Sequence, residues 1–320
     1  MTRGSPPILE GMTMELRRKR DKFITQIPFL LIAFPGLLYL LINNYMPMFG
    51  IFIAFKKIDY ARGIFRSPWA GFDNFKFLFQ TRDAFIMVRN TVAYNLVFIA
   101  LGTLCAVFIA ILMAEVSKLT AARFFQAGLL LPNLVSMVIV SYLVYALLSP
   151  ETGLFNSTIQ PMFGIQPVNW YAEPKYWPFI LVITQMWKIA GYTSIVYMAS
   201  IAGIDPGLYE SARIDGAGKF RQIFHITLPL LKPTIIIMVL MSIGRIFASD
   251  FGLFYQVPMD SGALYNVTQT IDTYVYRGLM RYGNIGMSSA AGLFQSVVGF
   301  VLVITANYVV RRVSPDNSLF

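Results

Sequence analysis

The sequence predicts an all-α membrane protein with about six transmembrane helices, and three observations carry that expectation. Hydrophobic residues make up 56% of the 320 residues and charged residues only 13%, against about a quarter in soluble domains. Mean hydropathy is +0.60. Apolar runs long enough to meet the roughly 20 residues that cross a bilayer recur along the chain. The net charge of +10 is dispersed between those runs, with no DNA- or RNA-binding motif beside it. It reads as positive-inside bias and interfacial anchoring, so no nucleic acid is expected as a partner. The single cysteine, Cys105, lies inside an apolar run and can form no intrachain disulfide, so redox compartment stays open.

Residues 1–22 carry Arg17, Arg18, Lys19, Arg20 and Lys22 and read as a cytosolic tail. The apolar stretch that follows, 23–45, is long enough to span, and no small-residue cleavage site closes it, which argues against a signal peptide. Residues 46–85 mix aromatics with charge and suggest an extracytoplasmic cap. In it GIFIAFKKI is strand-like, while Trp69, Phe72, Phe75, Phe77 and Phe79 suit the lipid interface. A transmembrane core is expected over 86–311, with spans at 86–116, 124–148, 177–203, 234–255 and 285–310, and a cytosolic tail over 312–320. The connection 150–176 is rich in Gly and Pro and reads as irregular and external. Six spans put both termini on one side. The side holding the N-terminus and the loop 204–233 collects fourteen cations against ten over the longer opposite loops, which favours that side as cytosolic.

The loop 204–233 is a polar helical hairpin between two apolar segments. Asp205 is a good N-cap, and Pro206 suits the first turn, where its missing N–H has no partner to lose. The helix runs through Leu208, Tyr209, Ala212 and Ile214 to a turn at Gly216 and Gly218. A second helix places Phe220, Ile223, Phe224 and Thr227 on one face, and Pro229 and Pro233 punctuate the return to apolar sequence.

Within this hairpin Glu210, Ser211, Ala212, Gly216, Ile226, Leu228 and Pro229 match six of the seven fixed positions of Glu-Ala-Ala, three residues, Gly, nine residues, Ile-x-Leu-Pro; Ser211 replaces the first Ala. The pattern resembles the EAA loop of ABC importer permeases. The region around SPWAGFDNF more weakly resembles the sugar-importer branch, of maltose or alginate type, whose members handle oligosaccharides that include acidic ones. The resemblance implies a type I ABC importer permease fold in a bacterial cytoplasmic (inner) membrane, with the loop as a cytosolic coupling helix. It assigns Glu210, Ser211, Ala212, Asp215, Gly216, Ile226, Leu228 and Pro229 to ATPase coupling, with Glu210 paired to a basic residue of the ATPase. The implied partners are a second homologous permease, two ABC ATPase subunits carrying Mg-ATP, an extracytoplasmic solute-binding protein and an oligosaccharide. The alternative is a membrane-embedded enzyme or passive channel acting without an ATPase partner.

Catalytic chemistry is sparse. The only histidine, His225, excludes a multi-histidine metal cluster and, on this loop, makes a Ser-His-Asp triad improbable. No HExxH or GxSxG occurs. Gly218-Lys219 lacks the preceding glycine of a phosphate loop, since Arg213 holds that position. Lys188, Arg245 and Asp250 fall within or near spans, where unpaired charge is costly, so they are expected to face the bundle interior or a wet passage. The structural alternatives are an Arg245–Asp250 pair, strained because five residues place the side chains roughly 140° apart on a helix, and a Lys188 that snorkels. Asn90, Tyr94, Asn133, Gln185, Trp187, Tyr192 and Gln295 are companion passage candidates. Lys188 and Arg245, with Arg82 and Arg89 near the outer mouth, would favour an anionic ligand.

Overall fold

The computed structural model describes residues 26, 28–116 and 119–313. The basic tail 1–22, Lys118 and the end of the C-terminal tail lie outside the described residues. The chain divides between Ile53 and Ala54 into two units. Helix α1 (Pro28–Phe55) supplies the described part of the first. It is apolar on every side, and its side chains are exposed as far as Phe49, as befits a helix with lipid or another protein around it. It widens to π geometry at Leu41–Tyr45, just before Pro47, whose missing N–H would interrupt an ordinary ladder. The expected strand is absent: Phe49–Phe55 is 3₁₀-helical, and the helix continues past Tyr45. The residues after it make only an isolated antiparallel bridge between Lys56 and Trp69.

In the second unit that bridge is held by Lys56, whose Nζ donates to the carbonyls of Ile64 and Phe65, and by Asn74, which donates to those of Ala54 and Lys56. Phe55, Phe72 and Phe75 close a small aromatic cluster, while Trp69 and Phe79 stay exposed.

The bundle is built on α2 (Arg82–Ala114) packed along α5 (Trp177–Ala202). Thr81 caps α2 by accepting from the Ala84 N–H at 3.2 Å. Tyr94, Phe98, Trp177, Leu181 and Phe254 form the core at one end; Ala106, Ala110, Tyr197 and Leu231 form it at the other.

The third expected span is not one rod. Helices α3 (Leu119–Leu134) and α4 (Met137–Leu148) meet at 93°. Pro132 removes a donor just before the break, and Ser136 starts α4 by accepting from the Ile139 N–H at 3.4 Å. α3 lies so close to α5 that a Cβ on Gly191 would stand 2.0 Å from the Leu129 carbonyl oxygen.

A short helix α6 (Pro206–Ile214) follows α5, and then α7 runs from Lys219 to Ile243 without interruption. Pro229 and Pro233 therefore do not end the hairpin. Both lie in the helix, and a π turn at Ile223–Thr227 absorbs the irregularity one turn before Pro229. The fifth span also stops earlier than expected, at Ile243 rather than near Tyr255. Arg245 and Asp250 thus lie in the turn beyond it. A π turn at Gly252–Gln256, helix α8 (Ile271–Met280) and helix α9 (Ile285–Val313) complete the chain, with α9 folded back on α8 at Gly283, whose φ is +60°.

The contact at Gly191 gives a direct test. Gly191→Ala should lower the thermal midpoint of the purified protein, since overpacking costs about 1–3 kcal/mol. Gly102→Ala on the facing helix should leave it unchanged, because the nearest atoms there are 3.8 Å from the added Cβ and belong to flexible side chains.

Candidate functional site

The polar hairpin has the expected caps. Asp205 Oδ1 accepts from the Gly207 N–H at 2.9 Å, Pro206 is the first helical residue, and Gly216 takes φ +78°. The Ala217 N–H reaches back to the Ala212 carbonyl at 2.8 Å, which closes the helix in the manner of a Schellman turn. Tyr209 and Thr227 join the two arms through their hydroxyls at 2.9 Å, and the buried Gln222 donates to the Ala217 carbonyl. Lys219 pairs with Glu115, at the end of α2, at 2.5 Å. That pair is solvent-exposed and contributes about 0–1 kcal/mol.

What remains uncovered sets the carboxylates of Glu210 and Asp215 beside apolar side chains. Glu210 is exposed, and so are Ile214 at 87%, Phe220 at 79% and Phe224 at 63%, an arrangement suited to docking rather than folding. Ser211, Asp215, Gly216 and Pro229 are also exposed, while Ala212, Ile226 and Leu228 are partly covered. The expected single face of the second arm is split: Phe220 and Phe224 point outward, but Ile223 is half-buried and Thr227 buried. The π turn changes the angular step, so periodicity counted at 100° misplaces them.

A cavity of about 340 Å³ opens between α2, α5 and α7 and the turn after α7. It brings together Gln185, Arg245 and Asp250 of the expected passage residues, and adds Asn95, Thr103, Thr193, Tyr197, Ser242 and Ser249. Gln185, Ile189, Thr193 and Tyr197 form an i, i+4 stripe on α5, and Asn95, Ile99 and Thr103 another on α2. That spacing was the signal in the sequence that would have found them. Asn95 donates to the carbonyls of Ile246 and Ala248 and so fixes the turn. Asp250 accepts from the Leu253 N–H at 3.1 Å, and among the described residues no ion pair joins it to Arg245. The Gln185 Oε1 is buried and has no partner.

The other candidates have structural work. Lys188 neither snorkels nor lines this cavity: its Nζ donates to the carbonyls of Pro132, Asn133 and Val135 at 3.4, 3.3 and 2.5 Å, capping α3 at its break. Asn133 contributes its backbone to that cap. Asn90 donates to the Asn266 and Gln269 carbonyls, and the Tyr94 hydroxyl to that of Val267 at 2.9 Å, which ties α2 to the chain before α8. Gln295 donates to Asp272, which in turn accepts from Ser249. Trp187 and Tyr192 are exposed on the outside of α5.

At the end of the bundle opposite the hairpin lies a cluster that sequence reading missed. Met259 and Asp260 both take positive φ, 51° and 47°, an unfavourable backbone for residues with a Cβ. The turn delivers Asp260 to two arginines, Arg277 at 2.9 Å and Arg281. Asp260 holds the Arg281 guanidinium above its ordinary pKa. Arg277 also donates to Gln269 at 3.2 Å and stacks on Tyr265, 3.9 Å from the ring centre. Among the described residues no group of three or more His, Cys, Asp or Glu side chains gathers to hold a metal.

Comparison with known proteins agrees with this architecture. Residues 99–315 match the family described as binding-protein-dependent transport system inner membrane component. LplB of Bacillus subtilis (strain 168) is 34% identical over 96% of this chain and 94% of its own. The polygalacturonan/rhamnogalacturonan transport system permease protein YteP of the same organism is 33% identical over 94% of each. Among solved structures, a bacterial ABC transporter involved in the import of the acidic polysaccharide alginate aligns with a TM-score of 0.84 and 32% identity, covering 93% of this chain and 99% of that one. With caps and motif in register on the hairpin and the match running through most of the helical core, the chain belongs to the binding-protein-dependent inner membrane components, the multi-pass permease subunits of ABC importers, and is not the ATP-hydrolysing subunit.

Proposed function

We propose that the chain is one of two homologous permeases of an importer that moves an oligosaccharide, with acidic sugars as the preferred class. The observation that carries the reading is the continuity of α7. One unbroken helix begins on the hairpin beside Phe220 and Phe224 and ends at the cavity beside Ser242 and Arg245. Displacement of the hairpin by an ATPase is thereby passed to the cavity wall as a rigid-body movement. α5 serves as the second arm of the lever, since only Gly203 to Asp205 separate it from α6.

In this reading Glu210, Ser211, Ala212, Asp215, Gly216, Ile226, Leu228 and Pro229 form the coupling site on the cytosolic side, facing one of two ATPase subunits that hold Mg-ATP. Both tails, 1–22 and 312–320, lie on that side and the 46–85 region on the other, where a solute-binding protein delivers the sugar. The cavity is one wall of the passage, and the second permease supplies the other. The names of the relatives, which mention polygalacturonan and alginate, support an acidic substrate. The field inside the cavity supports it less than the sequence suggested, because Lys188 is engaged by backbone and Asp250 stands near Arg245. The relatives named as transport permeases support the importer over the enzyme or channel alternative.

Two experiments follow. Glu210→Lys should leave insertion and thermal midpoint intact, because the residue is exposed, yet reduce co-purification of the ATPase; Gly216→Val should also reduce co-purification, through backbone strain of about 1–2 kcal/mol at φ +78° that lowers the thermal midpoint as well. Unchanged co-purification in both would remove the coupling assignment. Arg245→Gln should reduce uptake of a uronate oligosaccharide more than of a neutral one at matched expression, whereas Lys188→Met should lower the thermal midpoint and depress uptake of both alike. Equal losses for both sugars in Arg245→Gln would leave the preference for acidic sugars without support.

A further inference from the structure

The cluster at the end of the bundle opposite the hairpin borders a second cavity, of about 480 Å³, that the passage does not include. Arg82 and Arg277 line it, together with Asp83, Gln269 and the rings of Tyr265 and Tyr282. Arg277 is only 4% exposed, and of its three guanidinium nitrogens Nε and Nη1 have partners while Nη2 is buried with none. A buried guanidinium nitrogen without an acceptor is expensive to keep, because the desolvation of a charged donor is left uncompensated. The charge is unbalanced in the same direction. Three arginines, Arg82, Arg277 and Arg281, gather here with two aspartates, Asp83 and Asp260, and Asp260 is already shared between Arg277 and Arg281. The first turn of α2 adds to this, since Arg82 is its first residue and helix N-termini favour anions. Tyrosine faces beside planar cationic donors are the surfaces on which a sugar ring and its carboxylate are held together.

We propose that this cavity is an entry subsite for the carboxylate of a uronate residue, distinct from the passage between α2, α5 and α7. The inference rests on the oligosaccharide-importer reading and adds to it a residue set at the entrance. Arg82 and Arg277 provide the donors, and Tyr282, 74% exposed, provides a ring at the rim. The geometry also accommodates an acidic side chain of a protein partner. The concave shape and the tyrosine rings in its lining favour the sugar.

The test uses the full importer, both permeases with their ATPases, in nanodiscs, with a uronate pentasaccharide and a neutral glucan pentasaccharide as probes and no solute-binding protein. The wild type should bind the uronate and not the glucan. Arg82→Gln, at an exposed helix start where folding is not at stake, should weaken uronate binding by about tenfold, the effect of one hydrogen bond to a charged group. Arg277→Lys keeps a cation for Asp260 but gives up the Gln269 bond and the stack on Tyr265, so it should weaken binding similarly and lower the thermal midpoint, whereas Arg82→Gln should weaken binding at an unchanged midpoint and so separates binding from folding. No uronate binding by the wild type, or unchanged affinity in both variants, overturns the subsite. So does a loss in Arg82→Gln of affinity for sugar-free solute-binding protein with uronate binding intact, which assigns the cavity to protein docking. Uptake by the wild type in proteoliposomes with solute-binding protein reports on the importer reading separately, so failure of the subsite and failure of that reading are told apart.

Discussion

In an apolar surrounding every carbonyl released by a broken helix must find a donor, and the architecture of this chain follows from where it breaks and what it supplies there. The sharpest break, 93° between α3 and α4, frees carbonyls at the end of α3 and in the link after it, and Lys188 reaches across from α5 to those of Pro132, Asn133 and Val135. The charge placed mid-helix is thus balanced by the negative end of another helix. The same device recurs in neutral form. Asn95 donates to two carbonyls of the turn after α7, and Asn90 to two in the chain before α8. Each time a polar side chain on one of the two central helices, α2 and α5, satisfies irregular backbone elsewhere. These two helices are regular because the irregularity is delegated to their neighbours.

That division of labour also sets where function can sit. Polar groups already engaged in holding irregular backbone have fewer hydrogen bonds to offer a solute, as with Lys188, Asn90 and Tyr94, none of which lines the cavity between α2, α5 and α7. Gln185, Thr193, Ser242 and Arg245 remain on the cavity wall. The hairpin shows the complementary arrangement. Its interior is held by the bonds of Tyr209 to Thr227 and Gln222 to Ala217, while Ile214, Phe220 and Phe224 are turned outward. A loop with its hydrogen bonds inside and its phenylalanines outside is stable alone and sticky to a partner.

Much of this was legible in the residues. The hairpin could be read because caps, turn glycine and motif are local, and local chemistry fixes them: Asp205, Pro206 and Gly216 behave as their types require. The cavity between α2, α5 and α7 could be read only in part. Gln185, Arg245 and Asp250, which line it, stand out as charge and amide in apolar sequence, but Lys188 stands out equally and bonds instead to backbone 53 residues away in sequence. The polar stripes on α2 and α5 were missed because Thr and Ser are ordinary in membrane helices and only their spacing is informative. The Asp260 cluster was invisible for a different reason. It depends on two non-glycine residues in left-handed conformation, a backbone that no residue type there announces. The end of α7 at Ile243, and its passage through Pro229 and Pro233, show that proline marks a boundary only where nothing nearby accommodates it.

The π turn at Ile223–Thr227 sets a phase relation. A π turn is in effect one residue more than an α-helix needs, and each residue advances the helix by about 100°. Adding one α-helical residue between Lys219 and Thr227 would leave composition and hydropathy almost untouched, although it would lengthen the nine-residue spacing from Gly216 to Ile226. It would nevertheless rotate Phe220 and the hairpin by about 100° relative to Ser242 on the cavity wall. The length of this segment is therefore constrained by angle rather than by the identity of its residues.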